Sequence, residues 1–295
     1  MKVDIVIPYV DNKNKDWQEK YFTYFQDCKS TFFRTNKDFL KFLLRSIDTN
    51  LNWINNVFLV VQNFSEVPDY VDINKVKVIT HDMFIPKEYL PTFNSSTIEM
   101  FLWNIPSLEE KFIYFNDDIF VMNYLSYEKF YVEDKAISHY YNRSIDDNSF
   151  WEIVFRGSKT VWGTKVKTVI DCGYVQYWQH TIRPYFKSLV KDCYFKHKSL
   201  IDRFITRKRE LCNHNIYVFN EYIRFVGRNI NEERVTLGKI INTDTKEEIT
   251  TKFNGGYDTI CLYEFTEKPN IFENETLINL FKTKFPNVCK YEKEK

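Results

Sequence analysis

The chain has 295 residues, 44% of them hydrophobic and 27% charged, which excludes a disordered or fibrous chain and fits one large α/β domain or two closely packed units. Lys+Arg number 41 and Asp+Glu 40, for a net charge of +1. A global basic field for nucleic acid is excluded, although a local basic patch is not.

Val3–Val10 is a short, branched apolar run that ends in the turn pair Asp11-Asn12. It reads as a strand rather than as a signal peptide, because Asp4 interrupts it and DNKNKDW follows. Asp38–Ile47 places Phe39, Leu40, Leu43, Leu44 and Ile47 on one helical stripe. Asn56–Val61 is apolar enough to be a strand buried on both faces. Lys75–Thr80 is a further short strand, and His81-Asp82 follow it. Asn94–Trp103 opens on Asn-Ser-Ser, which is helix-capping chemistry. Lys111–Phe115 is another apolar strand and ends at Asn116-Asp117-Asp118. Strands alternating with helices predict a Rossmann-like α/β unit with a mostly parallel sheet over residues 1–135. Such sheets bind ligands beyond the carboxyl ends of their strands. That edge would gather Asp11, His81, Asp82 and Asn116–Asp118.

Residues 136–295 read as an irregular, partly helical second half. It would complete the active site of what is then one compact catalytic domain. Ser138–Lys167 is rich in Tyr, Trp, Asn and Ser and reads as surface loops. Arg183–Arg209 reads as a basic helical stretch. Glu221–Val226 and Thr236–Ile241 are short helix and strand candidates, Asn254-Gly255-Gly256 is a turn, and Leu277–Phe281 is a last short helix. No apolar run reaches the roughly 18–20 residues of a membrane span. The six cysteines form no CxxC pair and the five histidines no HExxH pattern. Reduced, structural cysteines in a cytoplasmic protein are expected.

Phe112–Phe120 reads FIYFNDDIF. Adjacent carboxylates at the end of a buried strand suit a hard divalent cation, which shares such oxygens with substrate phosphates; Asp-rich turns are also common without one. LPTFNSS (Leu90–Ser96) leads into a helix whose free N–H groups would suit a phosphate, ordinary capping being the commoner use. His180 precedes Arg183 and the basic stretch, and a histidine can take a proton from a hydroxyl near neutral pH. His81 is its rival on sequence alone.

Together these segments resemble the Stealth family, hexose-1-phosphate transferases of bacterial capsule and cell-wall synthesis related to the eukaryotic enzyme that makes the lysosomal mannose-6-phosphate tag. DIVIPYVDN (Asp4–Asn12) resembles the first of four family blocks. The second is matched by LRSI (Leu44–Ile47), NWINNVFLVVQN (Asn52–Asn63), HDMFIPKEYLPTFNSSTIE (His81–Glu99) and IPSLEEKFIYFNDDIF (Ile105–Phe120). QHTIRPYFKSL (Gln179–Leu189) with RKRELCNHN (Arg207–Asn215) resembles the third, and FPNVCKYE (Phe285–Glu292) the fourth. The chain departs from the family pattern at Trp103, where a histidine is common, and at Tyr263-Glu264, where an Asn-Asp pair is usual.

The resemblance implies a transferase that moves a sugar 1-phosphate from a nucleotide diphosphate sugar to a saccharide hydroxyl. It would use Mg²⁺ (or Mn²⁺) and release a nucleoside monophosphate. His180, Asp117 and Asp118 would be catalytic, with the metal on Asp117 and Asp118. Asp4, Asp11, Arg45, Asn94, Ser95, Glu99, Asn116, Arg183, Lys187, Arg207 and Arg209 would surround the substrate. The expected partners are a nucleotide-sugar donor and a saccharide or lipid-linked glycan acceptor, with no nucleic acid. The expected place is the cytoplasm, with room for peripheral contact at the inner membrane face. A metal-dependent glycosyltransferase that releases UDP is the alternative.

Overall fold

The structure is a computed structural model that describes residues 2–25, 37–144, 174–210, 213–264 and 270–294. In chain order the elements are β1 (Val3–Pro8), α1 (Lys15–Tyr24), α2 (Lys37–Asn50), β2 (Asn56–Val61), β3 (Val76–Thr80), α3 (Ser95–Met100), β4 (Lys111–Tyr114), β5 (Ile119–Val121), β6 (Tyr131–Val132), β7 (Lys135–Ile137), β8 (Tyr140–Ser144), β9 (Tyr174–Trp178) and β10 (Arg183–Phe186). After these come α4 (Lys187–Lys196), α5 (Lys198–Ile201), α6 (Tyr217–Phe225), β11 (Asn229–Ile230), β12 (Leu237–Ile241), α7 (Lys246–Phe253), β13 (Thr259–Tyr263) and α8 (Glu275–Lys284).

The largest sheet has the order β3-β2-β1-β4-β10. Its β3-β2-β1-β4 part is the strand order of a Rossmann-like unit, so the expected α/β architecture is present. The apolar runs explain the order. Val3, Ile5, Val6 and Ile7 of β1 and Val57–Val61 of β2 are all buried, as strands covered on both faces must be. A second sheet, β12-β13-β5, pairs β12 parallel to β13 and β13 antiparallel to β5.

Two expectations are corrected. Arg183–Arg209 is not one helix. Arg183–Phe186 is the edge strand β10, where Pro184 costs no ladder hydrogen bond on the open side. The helix that follows breaks at His197, and beyond Phe204 the chain is irregular up to residue 210. Tyr140–Ser144 is no loop but strand β8, antiparallel to β9; residues 145–167 of that expected loop region lie outside the described residues. Helix α7 was missed, although its Thr245-x-x-Glu248 capping box stands in the sequence.

The chain folds as two compact units, neither of which is a continuous half. One comprises Met1–Asp4, Thr80–Ile113 and Phe130–Arg234. Its core includes Phe112 stacked on Tyr185, with the Tyr131 hydroxyl donating to the carbonyls of Phe112 (2.8 Å) and Tyr185 (3.0 Å). The other comprises Ile5–Ile79, Tyr114–Lys129 and Val235–Lys295. Its core is aromatic: Phe281 lies 4.5 Å from Phe120, 5.4 Å from Phe39 and 5.0 Å from Phe253, ring centre to ring centre. Helix α2 is tied to β5 because Asn50 Nδ2 donates to the Val121 carbonyl and the Val121 amide donates to Ser46 Oγ. Among the described residues no helix is long and apolar enough to cross a membrane.

Candidate active site

In the second unit the carboxyl ends of β1, β2 and β4 carry a polar cluster. Strand β4 ends at Tyr114, and the Ile119 amide donates to the Asn116 carbonyl at 3.2 Å, which folds Asn116-Asp117-Asp118 into a turn before β5. All three side chains are part-exposed. Asn116 Oδ1 is itself buried and accepts no hydrogen bond among the described residues. The Leu262 amide holds the Asp118 carbonyl at 3.0 Å. Burial, and then the nearby Asp118 carboxylate, push the Cys261 thiol well above its usual range. An amide oxygen and two carboxylates in consecutive positions form a hard oxygen set of the kind Mg²⁺ or Mn²⁺ takes.

At the end of β1 the phenol of Tyr9 is buried. Its pKa is raised by burial first, and then by the neighbouring Tyr70 phenol and the carboxylates of Asp11, Asp117 and Glu66. Asp11 accepts from the Lys13 amide at 3.1 Å and stays part-exposed. Glu66, which the sequence reading missed, follows β2 and is 2% exposed. The Asn63 amide donates to its Oε1 at 2.9 Å. Burial pushes this carboxyl up to about 7, against the opposite pull of the backbone amides of Asn63, Asp11 and Gln62. In sequence Asn63-x-x-Glu66 reads only as a cap, and nothing in it shows the depth at which Glu66 lies.

In the first unit the family-like loop before α3 and the basic segment are laced together. Asn94 is fully buried. Its Oδ1 accepts from the Ser96 amide at 3.1 Å, and its Nδ2 donates to Asn213 Oδ1 (2.9 Å) and to the Thr206 carbonyl (3.1 Å). Arg207 Nη2 donates to the carbonyls of Glu88 (3.1 Å) and Leu90 (2.9 Å), and Arg209 donates to Ser95 Oγ. Arg207 and Arg209 are otherwise exposed. Glu99 Oε2 accepts from the Ile216 amide at 2.7 Å, just before α6.

His180 and Arg183 meet at Tyr217, the first residue of α6. His180 Nδ1 lies 3.1 Å from the Tyr217 hydroxyl, and the Arg183 guanidinium sits 4.5 Å above the Tyr217 ring. Arg183 is 3% exposed and its Nη1 donates to the Gln179 carbonyl at 3.3 Å. Trp178 packs against Tyr217, and its indole N–H donates to Glu221 Oε1 at 2.7 Å.

Three further expected residues are committed to structure. Asp4 stands near the start of β1, at the end away from Asp11, and accepts from the Glu109 amide at 2.8 Å. Lys187 Nζ donates to the carbonyls of Ile105 and Leu108, each at 3.2 Å. Arg45 forms a two-pronged pair with Glu292 (2.6 and 2.9 Å) and donates to the carbonyls of Phe285 and Pro286. Trp103, where the family commonly has histidine, packs on Tyr194 with its N–H on the Met100 carbonyl at 3.0 Å.

Residues 33–139 match the family model described as Stealth protein CR2, conserved region 2, a range that includes α2, the NDD turn and the strands up to β7. Over that region the chain is similar to the Stealth family. It is 25% identical to the capsular polysaccharide phosphotransferase WcwK of Streptococcus pneumoniae over 99% of this chain and 98% of that protein. It is 30% identical to the capsular polysaccharide phosphotransferase LcbA of Neisseria meningitidis over 70% of this chain and 60% of that one. The Actinobacillus pleuropneumoniae protein cps1A, of the same description, is 36% identical over 44% of this chain and 38% of its own length. The chain thus spans nearly all of WcwK and less than two thirds of the other two. The galactosyltransferase LgtC, solved with donor and acceptor sugar analogues, aligns over 97% of this chain and 98% of its own, at 10% identity and a TM-score of 0.47.

Proposed function

We propose that this chain is a Stealth-family phosphotransferase that moves a sugar 1-phosphate from a nucleotide diphosphate sugar to a saccharide hydroxyl, in the synthesis of a capsular or other surface polysaccharide. The donor is a UDP-hexose or UDP-N-acetylhexosamine, and the acceptor is a saccharide or lipid-linked glycan. The observation that carries the reading is the NDD turn inside conserved region 2, where a buried amide oxygen with no hydrogen-bond partner among the described residues adjoins two carboxylates. Asp117 and Asp118, with Asn116, would hold Mg²⁺ or Mn²⁺, which when bound supplies positive charge to the diphosphate oxygens.

The chain's own residues do the rest. His180 takes the proton of the acceptor hydroxyl. That oxygen attacks the sugar-side phosphorus, the bond from that phosphorus to the bridging oxygen breaks, and the electron pair leaves with the nucleoside monophosphate. The sugar keeps its bond to the anomeric oxygen, so its anomeric configuration is retained. Arg183, Arg207 and Arg209 supply guanidinium charge to phosphate oxygens, with Ser95 and Asp11 as polar contacts. We assign Arg45, Asp4, Asn94, Glu99 and Lys187 to the scaffold that positions these groups, because their polar atoms are already spent on the contacts described above. The proposed reaction involves no nucleic acid and takes place in the cytoplasm.

The test is to incubate the chain with UDP-sugars and Mg²⁺ and to identify both products. UMP, together with a phosphodiester signal in the phosphorus NMR spectrum, is expected. UDP with a phosphorus-free product would make the protein a glycosyltransferase instead.

A further inference from the structure

We propose that Tyr217 is a positioning residue that sets the tautomer of His180 and, through the face of its ring, the place of Arg183. The inference rests on the reaction proposed above for its kinetic consequence and on the contacts of Tyr217 for its structural one. A neutral imidazole carries its proton on one nitrogen, and the partner of one nitrogen fixes what the other can do. A base that takes a proton at Nε2 must carry its own proton on Nδ1. For His180 to act as that base, the Tyr217 oxygen, 3.1 Å from Nδ1, must accept that N–H, and it can go on accepting it when His180 becomes doubly protonated. As the acceptor in this contact the hydroxyl favours the Nδ1–H form, whereas as the donor it would favour the Nε2–H form, and the reaction proposed above selects the first.

The ring does a separate job. With the Arg183 guanidinium 4.5 Å above it and Trp178 packed against it, the buried phenol limits where the cation can point. Tyr217 is itself held: its amide donates to Asn215 Oδ1 at 3.0 Å, and the preceding amide, of Ile216, donates to Glu99 Oε2 at 2.7 Å. That second contact gives Glu99, expected from sequence to touch substrate, a place behind the site. Arg183 and His180 are thereby joined through Tyr217, and Glu99 holds the backbone of its neighbour Ile216.

The two jobs separate by substitution. Tyr217→Phe keeps the ring and removes the acceptor; Tyr217→Leu removes both. In protein labelled with ¹⁵N-histidine, His180 should show the Nδ1–H pattern of two-bond proton–nitrogen correlations, assigned by its loss in His180→Gln. Tyr217→Phe should move it to the Nε2–H pattern. With UDP-glucose or UDP-N-acetylglucosamine as donor, Tyr217→Phe should lower kcat about 10- to 100-fold, the range typical of lost orienting partners, and leave the donor KM within about twofold. Tyr217→Leu should raise the donor KM as well. An Nε2–H pattern in the wild type, or a pattern unchanged by Tyr217→Phe, overturns the proposal, and so does full kcat in Tyr217→Phe. If neither UDP-sugar is turned over, the functional reading fails on its own, and the NMR experiment still decides the role of Tyr217.

Discussion

At the scale of single residues, this protein divides its carboxyl groups by environment. Asp117 and Asp118 are part-exposed on a turn, so Asp117→Asn and Asp118→Asn should abolish turnover while changing the unfolding free energy from urea melts by no more than about 0.5 kcal/mol, as for substitutions outside the core. Normal turnover in both variants, or wild-type turnover in excess chelator, would remove the metal from the reading. His180→Ala should cut kcat by about 10²–10⁴, the usual contribution of a general base, with a smaller change in donor KM. Glu66 makes a prediction about stability. Its carboxyl rises from an ordinary 4.5 to about 7 because it is buried. The folded chain therefore binds this proton more tightly than the unfolded chain. That contribution is full below about pH 4.5 and is lost as the pH rises through about 7. The loss amounts to about 3 kcal/mol at most. Urea melts at pH 5 and pH 8 should show a smaller drop in Glu66→Gln than in wild type; parallel pH profiles would contradict the assignment.

At the scale of elements, the family-like segments hold each other in place. The C-terminal Phe285–Glu292 segment is clasped to α2 by Arg45. Burial raises the Glu292 carboxyl, but the Arg45 hydrogen bond and the Cys289 amide outweigh it and hold its pKa below the usual range. Removing one partner of a charge pair so little exposed strands the other. Arg45→Met should cost about 3 kcal/mol, and the double variant with Glu292→Leu should recover much of it. If Arg45 instead binds the donor, Arg45→Met will raise the donor KM in protein that is still folded. Asn94 has the same character in the other unit. Asn94→Ala leaves the Ser96 amide and the Asn213 and Thr206 oxygens short of partners, so a loss of about 2–3 kcal/mol is expected in urea melts.

At the scale of the molecule, the two units draw on interleaved stretches of chain, so their cores are built from residues far apart in sequence. The Phe39, Phe120, Phe253 and Phe281 rings come from α2, β5, α7 and α8. Much of the 18% aromatic content is therefore core rather than sugar-stacking surface. Phe281, fully buried among these rings, should cost about 3–5 kcal/mol as Phe281→Ala, visible as a lowered thermal midpoint.

The apolar runs of β1, β2 and β4, the cap at Asn94, and the turn chemistry of Asn116–Asp118 are local signals. They were readable because a strand buried on both faces needs an unbroken apolar run, and a helix start needs a short polar side chain. Tertiary structure alone settled the rest. Arg183 looks like the start of a basic helix until an edge position in the sheet makes it a strand. Arg45 reads in sequence with no partner, and in the fold Glu292, 247 positions on, accepts from its Nε and Nη2. Glu66 looks like a cap until burial lifts its pKa, and Tyr217 looks like one more aromatic until His180 Nδ1 and Arg183 are found on it. The reason is common to all four. Periodicity and capping depend on neighbours within a few residues, whereas desolvation and charge pairing depend on neighbours that only the folded chain supplies.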